Sequence, residues 1–314
     1  MLRWKLVRNN LSKDTNVNKP NLFLIGAMKS GTTTLHELLA RHPEISMSEP
    51  KEPCYFVAPD LLETLWPEMW RMGFWKDESS YLALFKDKPQ ARYFGESSTD
   101  YSKRPKIDGV VDRIAAFNPD ARFVYIMRDP VERTLSHYWH MVEHRGELRA
   151  PLDAILNDPH YTGVSHYADQ LAPYLERFGR ERVYALTFEE LKLDPLAAVR
   201  AVYAWLGVDS DFVPQALAAA HNVTPEEVRQ KRAGMGLLDR LRHSTLWEAV
   251  GQYCPPALRR AGVALVEKKI PRREADMDAV IAHLRPLQQA QTRVLEAQLG
   301  RQFTEWKTLW GTPA

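Results

Sequence analysis

Leu22-Phe23-Leu24-Ile25-Gly26-Ala27-Met28-Lys29-Ser30-Gly31-Thr32-Thr33-Thr34 is the stretch of sequence from which the fold can be inferred. Its first four residues are apolar and predict a buried strand, and the glycines at 26 and 31 predict a tight turn. The threonines begin a segment, Leu35 to Arg41, with the apolar spacing of a helix. Glycines let backbone N–H groups approach a phosphate, and a helix N-terminus adds partial positive charge. The stretch therefore predicts a phosphate-binding loop between a strand and a helix.

The loop departs from the pattern of nucleoside triphosphatases at its lysine. That pattern has a lysine directly after the second glycine, whereas Thr32 stands there and the lysine lies inside the loop. The glycine spacing alone is equally typical of an ordinary strand-to-helix turn. A lysine among inward-pointing amides favours a clamp on a transferring anionic group, and threonine hydroxyls can donate to phosphate oxygens. The predicted anion-binding residues are Lys29, Ser30, Gly31, Thr32, Thr33 and Thr34.

The composition is that of a globular protein with enough apolar material for a large core. The chain has 314 residues, of which 45% are hydrophobic and 26% are charged. The net charge of +2 argues against a nucleic-acid partner, so anion binding has to come from local placement of charge. Cys54 and Cys254 predict neither a disulfide framework nor a metal cluster and favour a reducing compartment. The apolar runs are too short for a membrane span, which predicts a soluble, cytoplasmic protein.

Strands and helices alternate along most of the chain, which predicts an α/β fold. Residues 121–127 form a second apolar strand, Arg128 follows its carboxyl end, and a helix is predicted from Val131 to about His144. Ligands of open α/β sheets bind at the carboxyl ends of strands, so the loop at Gly31 and the turn at Arg128 are expected to face one crevice. Arg128 and Ser136, about two helical turns later, can then hold a second phosphate. The predicted fold is P-loop-like and three-layered, with a central, mostly parallel β-sheet flanked by helices.

The character of the chain changes beyond about residue 215. Helical spacing recurs there at residues 237–241, 246–250, 258–266 and 277–299, and prolines separate these segments. Residues 215–314 are therefore predicted to form a mainly helical C-terminal extension. Residues 1–20 are polar and basic and are predicted to form a flexible N-terminal arm.

Three motifs together resemble those of the sulfotransferases that use 3′-phosphoadenosine 5′-phosphosulfate (PAPS). They are Lys29 to Leu35, then Lys51-Glu52-Pro53 with Tyr55 and Phe56, and Arg128-Asp129-Pro130 with Arg133 and Ser136. The resemblance is greatest to the bacterial branch related to heparan sulfate sulfotransferases and extends more weakly over about Asn21 to Trp306. It implies that residues 21–314 form one sulfotransferase domain, which uses PAPS, releases 3′-phosphoadenosine 5′-phosphate (PAP) and requires no metal.

The resemblance also implies a role for each anion-binding motif. Residues 29–34 would hold the 5′-phosphosulfate, with Lys29 on the bridging oxygen, and Arg128 with Ser136 would hold the 3′-phosphate. Negative charge builds on the leaving oxygen in a loose, in-line transition state, so a lysine there lowers the barrier. Lys231 and Arg232 resemble a basic loop that closes over the 3′-phosphate end, and a solvated basic surface is the alternative.

Glu52 is the predicted general base, which takes a proton from the acceptor as the sulfuryl group arrives. The alternative is an exposed glutamate that only pairs with Lys51, and Glu49 is the nearest competing carboxylate. A histidine base would resemble the small-molecule branch of the family instead. The histidines near enough in sequence are His36, His42, His137 and His140.

Two positions depart from the heparan-type enzymes. Ser97 stands where those enzymes carry a second catalytic lysine, so Lys29 is expected to act with less help. Cys54 stands where relatives often carry histidine. A separate alternative concerns Arg133, which is equally consistent with an ion pair to Glu132, Asp129 or Glu37.

The predicted acceptor is a hydroxyl, rather than an amine, of a carbohydrate, glycolipid or small metabolite. Acidic and basic residues alternate almost evenly over Pro59 to Phe85, so that segment has no continuous basic track for a polyanionic glycan and favours a neutral acceptor. Two other functions are open: a catalytically silent nucleotide-binding or scaffolding protein of the same fold, and a P-loop kinase. Lys29 and Glu52 disfavour the first, and Thr32 after Gly31 disfavours the second.

Overall fold

A computed structural model gives the structure of the protein and describes residues 19–86, 88–215, 227–231, 267–271 and 277–311. The strands of its central sheet are β1 (Leu22–Gly26), β2 (Ile45–Met47), β3 (Tyr93–Ser97), β4 (Arg122–Met127) and β5 (Val183–Thr187). Their spatial order is β2-β3-β1-β4-β5, and every pairing in this sheet is parallel. The predicted parallel sheet is therefore confirmed, and the carboxyl ends of its strands meet at one edge.

Helices pack on both faces of the sheet. Alternate residues of β1 point to opposite faces, with Phe23 and Ile25 in one apolar cluster and Leu22 and Leu24 in the other. The predicted three-layer arrangement is confirmed. The helices are α1 (Thr32–Arg41), α2 (Pro59–Leu65), α3 (Pro67–Met72), α4 (Glu78–Leu82), α5 (Val110–Phe117), α6 (Pro130–His144), α7 (Pro151–Asn157), α8 (His160–Gly163), α9 (Tyr167–Phe178), α10 (Phe188–Leu193), α11 (Pro195–Leu206), α12 (Met277–Leu299) and α13 (Lys307–Trp310).

Capping residues fix where the predicted helices begin and end. The Asp129 carboxylate accepts the Val131 amide at 3.0 Å, and proline at the first position of α6 needs no hydrogen-bond partner. Gly207 ends α11 in the left-handed conformation at φ 71°, which glycine adopts without strain. The boundaries expected for α6 are therefore met to within one residue.

The structure differs from the prediction where elements are short. Strand β2 was not predicted because its three residues are too few to show a period of two. Helices α7 and α8 were also missed, and residues 59–85 form three short helices. Packing against the core, rather than periodicity, stabilises such short elements.

The C-terminal part combines a long helix with a small antiparallel sheet. Helix α12 spans the predicted range, and its prediction is confirmed. Strands β6 (Glu227–Lys231) and β7 (Glu267–Pro271) pair antiparallel. The helical segments expected at 237–241, 246–250 and 258–266 lie outside the described residues, as does all but the end of the predicted arm. None of the described helices is long and apolar enough to cross a membrane.

Candidate functional site

The predicted phosphate loop lies at the carboxyl end of β1, in the middle of the sheet. The Ala27 amide donates to the Ile126 carbonyl of β4 at 2.7 Å, which joins the start of the loop to the neighbouring strand. Lys29 has φ 66° and Gly31 has φ 89°, so the chain turns twice through the left-handed region before α1 begins. Gly31 has no side chain with which to cap α1, and the first amides of this helix can therefore donate to an anion.

The side chains of the loop differ in burial. Ser30 is fully buried, and its hydroxyl has no hydrogen-bond partner among the described residues. A buried, unpaired hydroxyl is costly unless something absent from the protein chain bonds it. Lys29 and Thr33 are exposed, Thr34 is half-buried, and Thr32 is buried with its hydroxyl 3.4 Å from the Lys51 ammonium.

The turn after β4 lies beside this loop, as expected from the order of the strands. The Arg128 guanidinium stacks on Phe188, 5.3 Å from the ring centroid, and lies 3.2 Å from Glu132. The same ring would be 2.7 Å from a Cβ atom added to Gly31. The Phe188 ring therefore lies between Gly31 and Arg128, so the phosphate loop and the Arg128 turn are about one side chain apart.

Helix α6 carries Ser136 and the buried Arg133. Ser136 is half-buried on the helix that follows Arg128. Arg133 does not form the ion pair considered from the sequence: it is fully buried and donates to the Ser165 hydroxyl and the Tyr161 carbonyl. Burial lowers the pKa of Arg133 to about 10. Its contacts hold α6 against the segment around α8, which corrects the interpretation of Arg133 as a partner of Glu132, Asp129 or Glu37.

The loop after β2 brings Glu52 to the same edge of the sheet. The Glu52 amide donates to the Ser97 carbonyl at 2.9 Å, and its side-chain oxygens lie 2.6 Å from the Lys51 ammonium and 3.4 Å from the Thr99 hydroxyl. Lys51 also reaches Thr32 and thereby connects the carboxylate to the first turn of α1. The ion pair considered as an alternative is present, but it lies next to the phosphate loop and is only partly exposed. The competing Glu49 is exposed and pairs with Lys86.

The buried carboxylate of Glu96 supports the loop that carries Glu52 through a set of hydroxyl groups. Glu96 accepts hydrogen bonds from Tyr81 at 2.6 Å, Ser98 at 2.7 Å and Tyr101 at 2.8 Å. The Ser98 hydroxyl also accepts the Cys54 amide, and the Tyr101 hydroxyl accepts the Phe56 amide. Burial raises the pKa of Glu96 to about 7, although the three hydroxyl donors oppose the shift.

The strained backbone of this loop explains why it needs such support. Glu52 has φ 61° and Cys54 has φ 53°, a conformation that residues with a side chain rarely adopt. Cys54 is buried with its thiol 3.5 Å from the Asp100 carboxylate. Burial and that carboxylate raise the pKa of the thiol, which keeps it protonated.

The four candidate histidines lie in three different places. His36 is buried on α1 and bonds the Ser97 hydroxyl at 2.7 Å, and burial together with Lys51 lowers its pKa to about 4. His42 lies at the opposite end of α1 and bonds the Asp209 carbonyl at 2.9 Å, away from the loop. His137 and His140 lie on α6 and line a cavity. Ser97, the position at which the resemblance places the second lysine of heparan-type enzymes, is a buried hydrogen-bond partner of His36.

That cavity, called the histidine pocket below, has a volume of about 210 Å³. Sequence reasoning missed it because its walls come from the loop, the turn after β3, α2 and the segment α6 to α8. No single motif signals such a set. Its lining residues are Met28, Thr64, Leu65, Trp66, Asp100, Lys103, Lys106, Ile107, His137, His140, Met141, Arg145 and His160.

The structure also contains a second cavity and one of the two remaining predicted basic residues. A larger cavity of about 460 Å³ lies between α5 and α9, and none of its lining residues belongs to the phosphate loop or the Arg128 turn. Lys231 ends β6, which runs beside α6. Arg232 lies outside the described residues. Within the described part of the chain, no cluster of side chains suited to a metal ion is present.

Comparison with known proteins identifies the family. The model of the Sulfotransferase family matches residues 20–212. A bifunctional heparan sulfate N-deacetylase/N-sulfotransferase 1 of Caenorhabditis elegans is 24% identical over 61% of this chain, and the membrane-associated sulfotransferase kil1 of Dictyostelium discoideum is 30% identical over 42% of it. The matches span only 22% and 25% of those relatives.

A solved structure matches nearly the whole chain. The sulfotransferase from Alicyclobacillus acidocaldarius is 27% identical with a TM-score of 0.63, over 92% of this chain and 99% of that one. The family match covers well over half of the chain, and this structural match covers almost all of it. The chain belongs to the sulfotransferase family.

Proposed function

We propose that the protein transfers the sulfuryl group of PAPS to a hydroxyl, or less favourably an amine, of a carbohydrate, glycolipid or small metabolite. The observation that carries the proposal is the position of Lys51. Its ammonium contacts both Glu52 and Thr32, so a carboxylate lies beside an anion-binding loop that contains a lysine. A proton acceptor and a cation next to one reacting centre are what sulfuryl transfer requires.

The donor side of the proposed site lies toward β4. The amides at the start of α1 and the unpaired Ser30 hydroxyl suit the 5′-phosphosulfate, because both are donors that the described residues leave available. Arg128 and Ser136 would hold the 3′-phosphate, and Lys231 and Arg232 are the further candidates for contacts to it. PAPS supplies the activated sulfuryl group, and its leaving group is already a stable phosphate, so the proposal requires no metal.

The acceptor side lies toward β2 and β3. As the sulfur–oxygen bond to the donor phosphate breaks, a new bond forms from sulfur to the acceptor oxygen or nitrogen. Glu52 takes the acceptor proton, and Lys29 stabilises the charge that develops on the departing PAP. Lys51 and Thr99 orient the carboxylate from two sides.

The donor preference tests the proposal. We expect the full-length protein to bind PAP at least about tenfold more tightly than ADP, because only PAP carries the 3′-phosphate. Calorimetric titration with PAP, ADP, ATP and GTP, alongside transfer assays with labelled PAPS, measures this preference. A protein that binds only a triphosphate would exclude the sulfotransferase function, and one that binds PAP without any transfer would support the silent nucleotide-binding alternative.

A matched pair of variants tests the 3′-phosphate contact. Arg128→Gln should weaken PAP binding about tenfold or more and leave ADP binding nearly unchanged. Arg182→Gln is the control. Arg182 directly precedes β5, at the edge of the sheet where the strands begin, and donates to the Asp120 carbonyl there. Equal PAP affinity in the wild type and Arg128→Gln would refute the assignment.

A further inference from the structure

The histidine pocket opens beside the lysine of the phosphate loop. Met28, which lines the pocket, directly precedes Lys29 in the chain. Burial lowers the pKa of His140 to about 4, and the charge of Lys29 is the next largest contribution to that shift. A molecule seated in the pocket would therefore lie within electrostatic range of Lys29.

The pocket contains more cationic than anionic side chains. Lys103 is only 5% exposed, and its ammonium lies 2.5 Å from the single lining carboxylate, Asp100. Lys106 and Arg145 add two more cations, and the nearest acidic partner of Arg145 is Glu68 at 3.6 Å, outside the lining. Three cations therefore stand beside two carboxylates, Asp100 in the lining and Glu68 outside it, and the pocket keeps a net positive charge through Lys106.

Trp66 forms an aromatic wall between two of these cations. Its ring lies 5.4 Å from the Lys103 ammonium and 4.5 Å from the Arg145 guanidinium, measured to the ring centroid. Cations over an aromatic face are held in place without being neutralised. Trp66 therefore holds Lys103 and Arg145 at one wall of the pocket.

The histidines of the pocket supply ring nitrogens that a ligand can bond. His137 is 2% exposed, and its Nδ1 atom has no hydrogen-bond partner among the described residues. Burial and the charges of Arg133 and His160 lower the pKa of His137, and burial with nearby lysines lowers the pKa of His160 to about 4. Neutral imidazoles can bond ligand hydroxyls as donor or acceptor. A ligand hydroxyl or an ordered water would satisfy this buried nitrogen.

We propose that the histidine pocket holds the acceptor and selects one that carries an acidic group, either a carboxylate or a sulfate or phosphate ester. The inference rests on the proposed function and specifies its substrate class. The volume of about 210 Å³ is below the usual range for drug-sized ligands, so the pocket holds roughly one sugar ring or a small acid. This differs from the neutral acceptor favoured by residues 59–85, because the charges of the pocket come mainly from the turn after β3 and from the end of α6.

Matched aryl glycosides test the charge preference. The probes are p-nitrophenyl β-glucuronide, the corresponding glucoside 6-sulfate and the neutral glucoside, titrated calorimetrically into the full-length protein saturated with PAP. We expect at least one acidic probe to bind about tenfold more tightly than the neutral glucoside. Which acidic probe binds more tightly distinguishes the carboxylate from the ester. Equal or tighter binding of the neutral glucoside would overturn the proposal, as would no binding of either acidic probe.

Substitutions at the rim of the histidine pocket provide a second test of the charge preference. Lys106→Gln and Arg145→Gln should each reduce the affinity for the acidic probe by about threefold or more, without changing the affinity for PAP or the neutral glucoside. Lys192→Gln, an exposed lysine on α10, is the control and should have no effect. An unchanged preference in both rim variants would overturn the proposal. Failure of the wild type to bind PAP would instead count against the proposed function.

Discussion

The substitution Glu96→Gln tests whether a buried carboxylate supports the loop that carries Glu52. Wild-type Glu96 accepts three hydroxyl hydrogen bonds, and two of those hydroxyls in turn hold amides of that loop. Glutamine keeps the size of the side chain and cannot ionise. The Tyr81 hydroxyl can rotate to accept from the new amide group, so the variant is expected to fold.

The expected magnitude follows from the pKa of Glu96. That pKa rises from 4.5 to about 7 on folding because burial penalises the charged form. Between these values the native state binds more protons than the unfolded state, so the free energy of unfolding falls as pH rises and then becomes constant above about 7. The shift corresponds to a loss of about 3 kcal/mol across the window, which the glutamine variant lacks.

Urea denaturation of both proteins at about pH 5 and about pH 8 measures the difference. Wild type should lose about 2.5 kcal/mol relative to Glu96→Gln between the two conditions, since pH 5 already lies above the unfolded pKa. Buried histidines such as His36, whose pKa is lowered to about 4, change stability in the opposite direction, but they do so equally in both proteins and cancel in the difference. A stability difference that does not vary with pH would refute the reasoning.

Three further predictions concern the loop and the reacting groups. Gly31→Ala should lower the free energy of unfolding by roughly 1–3 kcal/mol, because of its left-handed backbone and the contact with Phe188. Gly146→Ala is the control in thermal denaturation, since Gly146 also has positive φ but open space around it; equal losses would contradict the steric part of the argument. Lys29→Ala should reduce kcat about 10²–10³-fold in transfer assays and weaken PAP binding by less, about tenfold, and a loss confined to PAP affinity would contradict its role at the leaving oxygen. Glu52→Gln should reduce kcat about 10²–10⁴-fold, and full activity in that variant would transfer the role of base to another residue.

The sequence was sufficient to predict the sheet and the phosphate loop because both rest on local signals. The apolar runs of β1 and β4 and the capping residues of α6 and α11 are each readable within a dozen residues. Strand β2 could not be predicted, since three residues carry no period and the strand is stabilised by pairing with β3. Because the strands are parallel, the phosphate loop, Glu52 and Arg128 all lie at the edge of the sheet where the carboxyl ends of the strands meet.

The parts of the candidate site that could not be predicted depend on contacts between distant segments. Glu52 was predicted as the base from the resemblance of its motif, and its link to Thr32 through Lys51 is visible only in the fold. Lys103 and His160 belong to no motif, and the cavity that unites them is made by the turn after β3 and by α8. The alternative of an ion pair for Arg133 is wrong: carboxylates near it in sequence suggested the pair, whereas the fold gives the guanidinium neutral oxygens.

The central claim is that Lys29 and Glu52 act on PAPS and an acceptor at one site, and single-turnover transfer tests it most directly. Full-length protein is loaded with sulfur-labelled PAPS and mixed with a panel of acidic and neutral hydroxyl and amine acceptors, and labelled product and PAP are counted together. We expect equal amounts of product and PAP from the wild type and from the control Glu49→Gln. We expect almost none from Lys29→Ala or Glu52→Gln, although both still bind PAP. Product from Glu52→Gln at the wild-type rate, or a wild type that binds PAP and sulfates no acceptor, would contradict it.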